Sequence, residues 1–120
     1  MSMDRDRGIE RHLPLRRVEF HILLSLAMGE RHGYGIIRDI EARGESSPPD
    51  LGTMYRALAR MVEAGLIEAS GRRAEDGGEE RRNNYRITNT GILVARAEAR
   101  RMETMMHAAR LGGLLPKGAK

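Results

Sequence analysis

The stretch PPDLGTMYRALARMVEAGLIEAS, residues 48–70, constrains the fold more than any other part of the chain. Pro48 and Pro49 forbid a helix running in from the preceding segment. Asp50 then suits an N-cap, where its carboxylate accepts from the free amides of the first turn. Leu51, Met54, Leu58, Met61 and Val62 recur at helical spacing and form the expected buried stripe. Thr53, Arg56, Ala57 and Arg60 fall together on the expected outward face, with Tyr55 at its margin. Gly65 suits a left-handed stop, and LIEAS then reads as extended chain. A short helix locked directly into a strand, with a small polar face and two arginines, needs a surface to which that face is offered.

The segments on either side supply its frame. In RRVEFHILLSLAMGE, Val18, Ile22, Leu23 and Leu26 mark a helix that Gly29 ends. In HGYGIIRDIEARG, Ile36, Ile37 and Ile40 share a face and Gly44 is the stop. Gly33 and Gly35 make the first turn of that second helix soft or closely packed. After Gly65 the period changes to that of strands. LIEASGRR and NNYRIT read as a β-hairpin around the polar loop AEDGGEER. Asn83 and Asn84 fit turn chemistry at a strand start. From Asn89 or Thr90 to Leu111 the pattern is one long helix, followed by a tail expected to fray.

The expected architecture is therefore mainly α with a small β-hairpin. A winged helix-turn-helix head occupies residues 16–88, and a long C-terminal helix occupies 89–111. Residues 1–15 are a flexible or short extension, and 112–120 a tail. In such a fold the third helix enters a DNA major groove and the hairpin touches flanking backbone.

Composition agrees with a DNA-facing role without proving it. The 120 residues carry 21 Lys+Arg against 17 Asp+Glu, a net charge of +4. Only Lys117 and Lys120 are lysines, so the basic side chains are almost all arginines, whose planar fork suits phosphate and guanine. No cysteine is present, which excludes disulfides and thiolate metal sites. His12, His21, His32 and His107 lack the paired spacing of a metal site, so no metal or cofactor is expected. Nucleophile-elbow, P-loop and dinucleotide fingerprints are also missing, and no enzyme activity is expected. No apolar run reaches the ~18 residues of a membrane span, and the charged N-terminus does not read as a signal peptide. The chain reads as a cytoplasmic protein.

Three pieces of the sequence, in order, resemble the PadR family of bacterial transcriptional regulators. GYGII is similar to that family's Gly-Tyr segment in the second helix. GTMYRALARMVEAGLI is similar to its recognition helix running into the first wing strand. YRITNTG is similar to its exit from the wing into the last helix. The resemblance implies a homodimeric repressor that binds double-stranded DNA and pairs through its C-terminal helix, as in the smaller subfamily. It places Thr53 and Tyr55 at the family's recognition-helix Thr and Tyr, and Tyr85 at its second-wing-strand Tyr.

Arg56 and Arg60 join the expected DNA-binding residues. So do Arg72, Arg73, Arg81 and Arg82 around the wing tip. The tip itself departs from that picture, because Glu75, Asp76, Glu79 and Glu80 repel phosphate. Some family members hold flat aromatic effectors against a tryptophan, and this chain has none.

The dimer seam is expected along Ile92, Ala95, Ala99, Met102, Met106 and Ala109, whose spacing alternates 3 and 4. Leu93, Val94 and Met105 lie outside that seam. Two other readings stay open at this point. One is a winged helix that docks RNA or protein without operator specificity. The other is a small-molecule sensor with a ligand between the last helix and the head.

Overall fold

The computed structural model describes residues 8–73 and 83–117. Three helices, a hairpin and a long helix follow one another: α1 (Arg17–Ala27), α2 (Gly33–Ala42), α3 (Leu51–Glu63), β1 (Ile67–Arg73), β2 (Asn83–Ile87) and α4 (Asn89–Leu111). The expected winged helix-turn-helix head is present, and the helix boundaries follow the caps. Asp50 accepts the Thr53 amide at 2.8 Å to start α3. Gly65, at φ +81°, ends the turn after it in the left-handed conformation, as the sequence suggested. Helix α2 starts differently from expectation: the His32 ring accepts the Gly35 amide through Nδ1 at 3.1 Å.

The core is aliphatic and sulfur-bearing. Ile22, Leu23 and Leu26 of α1 meet Ile36, Ile37 and Ile40 of α2 and Met54, Ala57, Leu58 and Met61 of α3. Leu66, Ile67 and Val94 close it from the hairpin and the last helix. The stripe on α3 differs from the expected one. Leu51 is 45% and Val62 41% exposed, whereas Ala57 is fully buried. A stripe of Met54, Ala57, Leu58 and Met61 is centred about one residue's rotation away from the assumed one. Alanine carries no polarity signal, so the hydrophobic pattern alone put it on the wrong face.

The N-terminal extension also differs from a flexible one over its described part. Residues 8–10 are helical, Ile9 and Leu13 pack beside the core, and Leu15 is buried.

The hairpin is antiparallel, pairing Ile67 with Ile87, Glu68 with Arg86, Ala69 with Tyr85 and Arg73 with Asn83. The register shifts between Ala69 and Arg73, where Gly71 takes φ +85°. A third backbone segment joins the sheet: Tyr85 donates to the Arg31 carbonyl at 2.8 Å, and Arg31 donates back at 3.3 Å. The linker between α1 and α2 therefore fixes the wing to the helical core.

Thr88 and Gly91 explain the exit from the wing. The Thr88 hydroxyl donates to the Gly65 carbonyl at 2.7 Å and accepts the Gly91 amide at 3.0 Å, so it caps α4 and ties it to the turn after α3. Gly91 is buried against the Leu66 carbonyl, in a space that a β-carbon would fill with a clash. Beyond this junction α4 leaves the head. Only Gly91, Val94 and Glu98 of its residues are buried, and from Ala99 onward none is.

Candidate nucleic-acid interface

The first turns of α3 form a self-contained polar unit. The Thr53 amide is the first donor to the Asp50 carboxylate; this bond, then the Thr53 hydroxyl and the nearby Arg56, holds that carboxyl below its usual range. Thr53 Oγ1 in turn accepts from Arg56 Nη2 at 3.2 Å. Gly52 sits between them, and a β-carbon there would stand 3.4 Å from Arg56 Nη1 and 3.7 Å from Asp50 Oδ1. The absence of a side chain at Gly52 leaves the helix start open to close approach by a partner's backbone. One guanidinium, one hydroxyl and an uncovered helix turn thus face outward together.

The other expected contacts are distributed around this unit. Arg60, one turn further on, is drawn sideways: its Nε lies 3.7 Å from Glu19 Oε2 on α1. Tyr55 is half-buried rather than free, its ring lying over Gly33 of α2. A β-carbon on Gly33 would stand 3.1 Å from Tyr55 Cζ and 3.3 Å from its hydroxyl. That contact accounts for the first glycine of GYG. Tyr85 lies near the same junction, its phenol pushed up by burial and then by Tyr55. Arg72 and Arg73 occupy the last two positions of β1. Arg81 and Arg82, with the acidic residues Glu75, Asp76, Glu79 and Glu80, lie outside the described residues.

Sequence reasoning passed over two residues that shape this face. Glu19 holds Arg60 while one of its oxygens accepts the Arg16 amide at 3.0 Å, and only its position three residues beyond Arg16 hinted at a cap. Arg31 donates to Asp39 at 3.3 Å and to the Glu30 carbonyl at 2.9 Å, besides pairing its backbone with Tyr85. It joins linker, α2 and wing, and nothing local in the sequence marks it. Across the exposed hairpin, Arg86 and Glu68 pair at 2.7 Å, so Arg86 is engaged on the wing itself. Among the described residues no group of three or more His, Asp or Glu is placed to hold a metal ion. No helix among them is long and apolar enough to cross a membrane.

Three helices braced by a hairpin, with the start of the third held open, define a winged helix-turn-helix protein. Residues 22–97 match the sequence profile of the PadR-like family of transcriptional regulators, and the chain belongs to that family. Among solved structures it is similar to a transcriptional regulator from Clostridium thermocellum. The two are 28% identical over 92% of this chain and 95% of that one, with a TM-score of 0.62. A PadR family transcription regulator from Clostridium difficile is 26% identical over 80% of this chain and 97% of that one, with a TM-score of 0.65. Bacillus subtilis PadR, solved in complex with operator DNA, shares the fold. It is 23% identical over 68% of this chain and 46% of that one, with a TM-score of 0.58. Among curated proteins none matches the sequence.

Proposed function

We propose that this regulator is a homodimeric repressor that binds an inverted-repeat operator through α3. The observation that carries the reading is the Thr53–Arg56 unit beside the uncovered Gly52 at the start of that helix. A guanidinium already oriented by a hydroxyl reaches a guanine edge or a phosphate with little ordering left to do. Tyr55 adds a phenol at the margin, and Arg60, Arg72, Arg73, Arg81 and Arg82 serve phosphates. The Bacillus subtilis relative bound to its operator supports DNA as the partner.

The dimer follows from α4. Ile92 and Ala95 lie half-buried on the head, but Ala99, Met102 and Met106 further along the same seam are exposed. Met105 lies in line with Val94 and Glu98 and extends the apolar surface beyond the head. A second copy laid along this seam would bury it, and would set two heads about 34–36 Å apart for half-sites one helical turn apart.

Selection of duplexes from a random pool with the full chain should converge on an inverted repeat. Arg56→Ala should then weaken binding to the selected duplex by about 1–3 kcal/mol. Its melting temperature should barely move, since exposed substitutions usually stay within about 0.5 kcal/mol. A pool with no preferred sequence, or wild-type affinity in Arg56→Ala, would overturn the reading.

A further inference from the structure

A polar cluster away from α3 fastens the end of α2 to α1. The His21 ring on α1 has a 13% exposed side chain, and its Nδ1 lies 3.0 Å from Arg43 Nη1. Arg43 is the C-cap residue of α2, and its Nη2 also donates to the buried Ser25 hydroxyl at 2.8 Å. Its Nη1 lies 3.4 Å from the His21 carbonyl as well. Glu45, two residues on, takes a bidentate pair from Arg17 of α1 at 2.7 and 2.9 Å, and its Oε1 lies 3.7 Å from His21 Nε2. The only stretch between Glu45 and the α3 cap Asp50 is Ser46, Ser47, Pro48 and Pro49. Two prolines make half of that connection stiff, so where Glu45 is held, the start of α3 is held.

We propose that His21 is a positioning residue for α3, and that its protonation unlatches the loop from Glu45 to Asp50 and weakens DNA binding in acid. The proposal rests on the regulator reading above. The chemistry is set by donors and acceptors. A guanidinium is always protonated, so Arg43 donates and His21 Nδ1 must accept, which requires a neutral ring with its proton on Nε2. Adding the second proton puts N–H against N–H and one positive charge beside another. Among the described residues, the charged groups acting on the ring are Arg43, Glu45 and Arg17, and β2 and α4, which also pack on α1, contribute none.

Burial first, then Arg43, holds the ring's pKa below its ordinary 6.5, with Glu45 opposing. A histidine whose folded pKa is depressed contributes its stability above the ordinary value. That contribution is lost as pH falls from 6.5 through the lowered folded value. Acid therefore opens the latch, whereas protonating exposed histidines elsewhere would strengthen binding to DNA.

Two measurements decide it. In the full wild-type chain, NMR should show the His21 ring titrating below 6.5, with the amides from Glu45 to Thr53 shifting at the same midpoint. A ring titrating at or above that value, or amides that ignore it, would overturn the latch. The second measurement compares wild type with His21→Gln, which keeps an acceptor for Arg43 but has no proton to gain. Between pH of about 7.5 and about 5.5, wild-type affinity for the selected duplex should fall about fivefold or more relative to the variant. Parallel pH profiles would also overturn it. If no duplex is preferred at either pH, the regulator reading falls, and the NMR titration still decides the latch.

Discussion

Helices α3 and α4 are both amphipathic, yet their apolar faces meet different fates. On α3 the stripe of Met54, Ala57, Leu58 and Met61 is wholly inside the head, and only the face bearing Gly52, Arg56 and Arg60 is left to solvent. On α4 the first turns behave the same way, with Gly91 and Val94 closed against the hairpin and core. The second half, carrying Met102, Met105 and Met106, meets nothing of its own chain. The difference teaches what each surface is for. A helix whose apolar side is satisfied offers its polar side for recognition. One whose apolar side stays open lacks the packing that normally holds such a length of helix in water.

Breaking α4 should have the largest effect. Met102→Glu with Met106→Glu places four carboxylates in a seam between two copies, where like charges at short range repel. Sedimentation should report monomers, while the circular dichroism of the head persists. Losing the second head removes its high effective concentration, so affinity for the full operator should fall by a factor of about 10²–10⁴. A double mutant that remained dimeric would place the interface elsewhere.

The same comparison predicts the opposite division of damage on α3. Leu58 is fully buried, and Leu58→Ala leaves a cavity that costs about 2–5 kcal/mol. Calorimetry should show the whole head losing stability, with DNA binding falling only as the folded fraction falls. If binding collapsed while the melting temperature held, Leu58 would have to face the groove, and the orientation of α3 would be wrong.

How far these roles were legible depends on the kind of signal. Caps and stops were plain, because Asp50, Gly29, Gly44 and Gly65 act through backbone chemistry that one residue determines. The α1 and α2 stripes were plain because isoleucine and leucine leave no ambiguity. Ala57 was not, since a methyl group fits either face, and its burial pushed Leu51 and Val62 outward. The DNA-facing arginines could be named, but not their partners. Arg56 bonds to Thr53 within one turn, which spacing could suggest. The Arg60–Glu19 pair spans two helices, and the Arg31–Tyr85 ladder depends on where the linker lands. Such tertiary pairings have no local periodicity to read.

Arg60 supplies the smallest and sharpest test, because it stands between recognition and packing. To reach a phosphate it must leave Glu19, 3.7 Å away. A surface pair of this kind contributes about 0–1 kcal/mol, so its release costs little and its removal gains little. Arg60→Ala should therefore weaken operator binding less than Arg56→Ala does. Glu19→Gln is the informative partner, since glutamine keeps an oxygen to accept the Arg16 amide but loses the charge that detains Arg60. It should tighten DNA binding by no more than about fivefold, the equivalent of about 1 kcal/mol. The gain should shrink with added salt as other phosphate contacts do, and it should vanish in the Glu19→Gln, Arg60→Ala double mutant. Should Glu19→Gln instead leave DNA affinity unchanged while each single mutant lowers the melting temperature, Arg60 is a brace between α1 and α3. The recognition face then ends at Arg56.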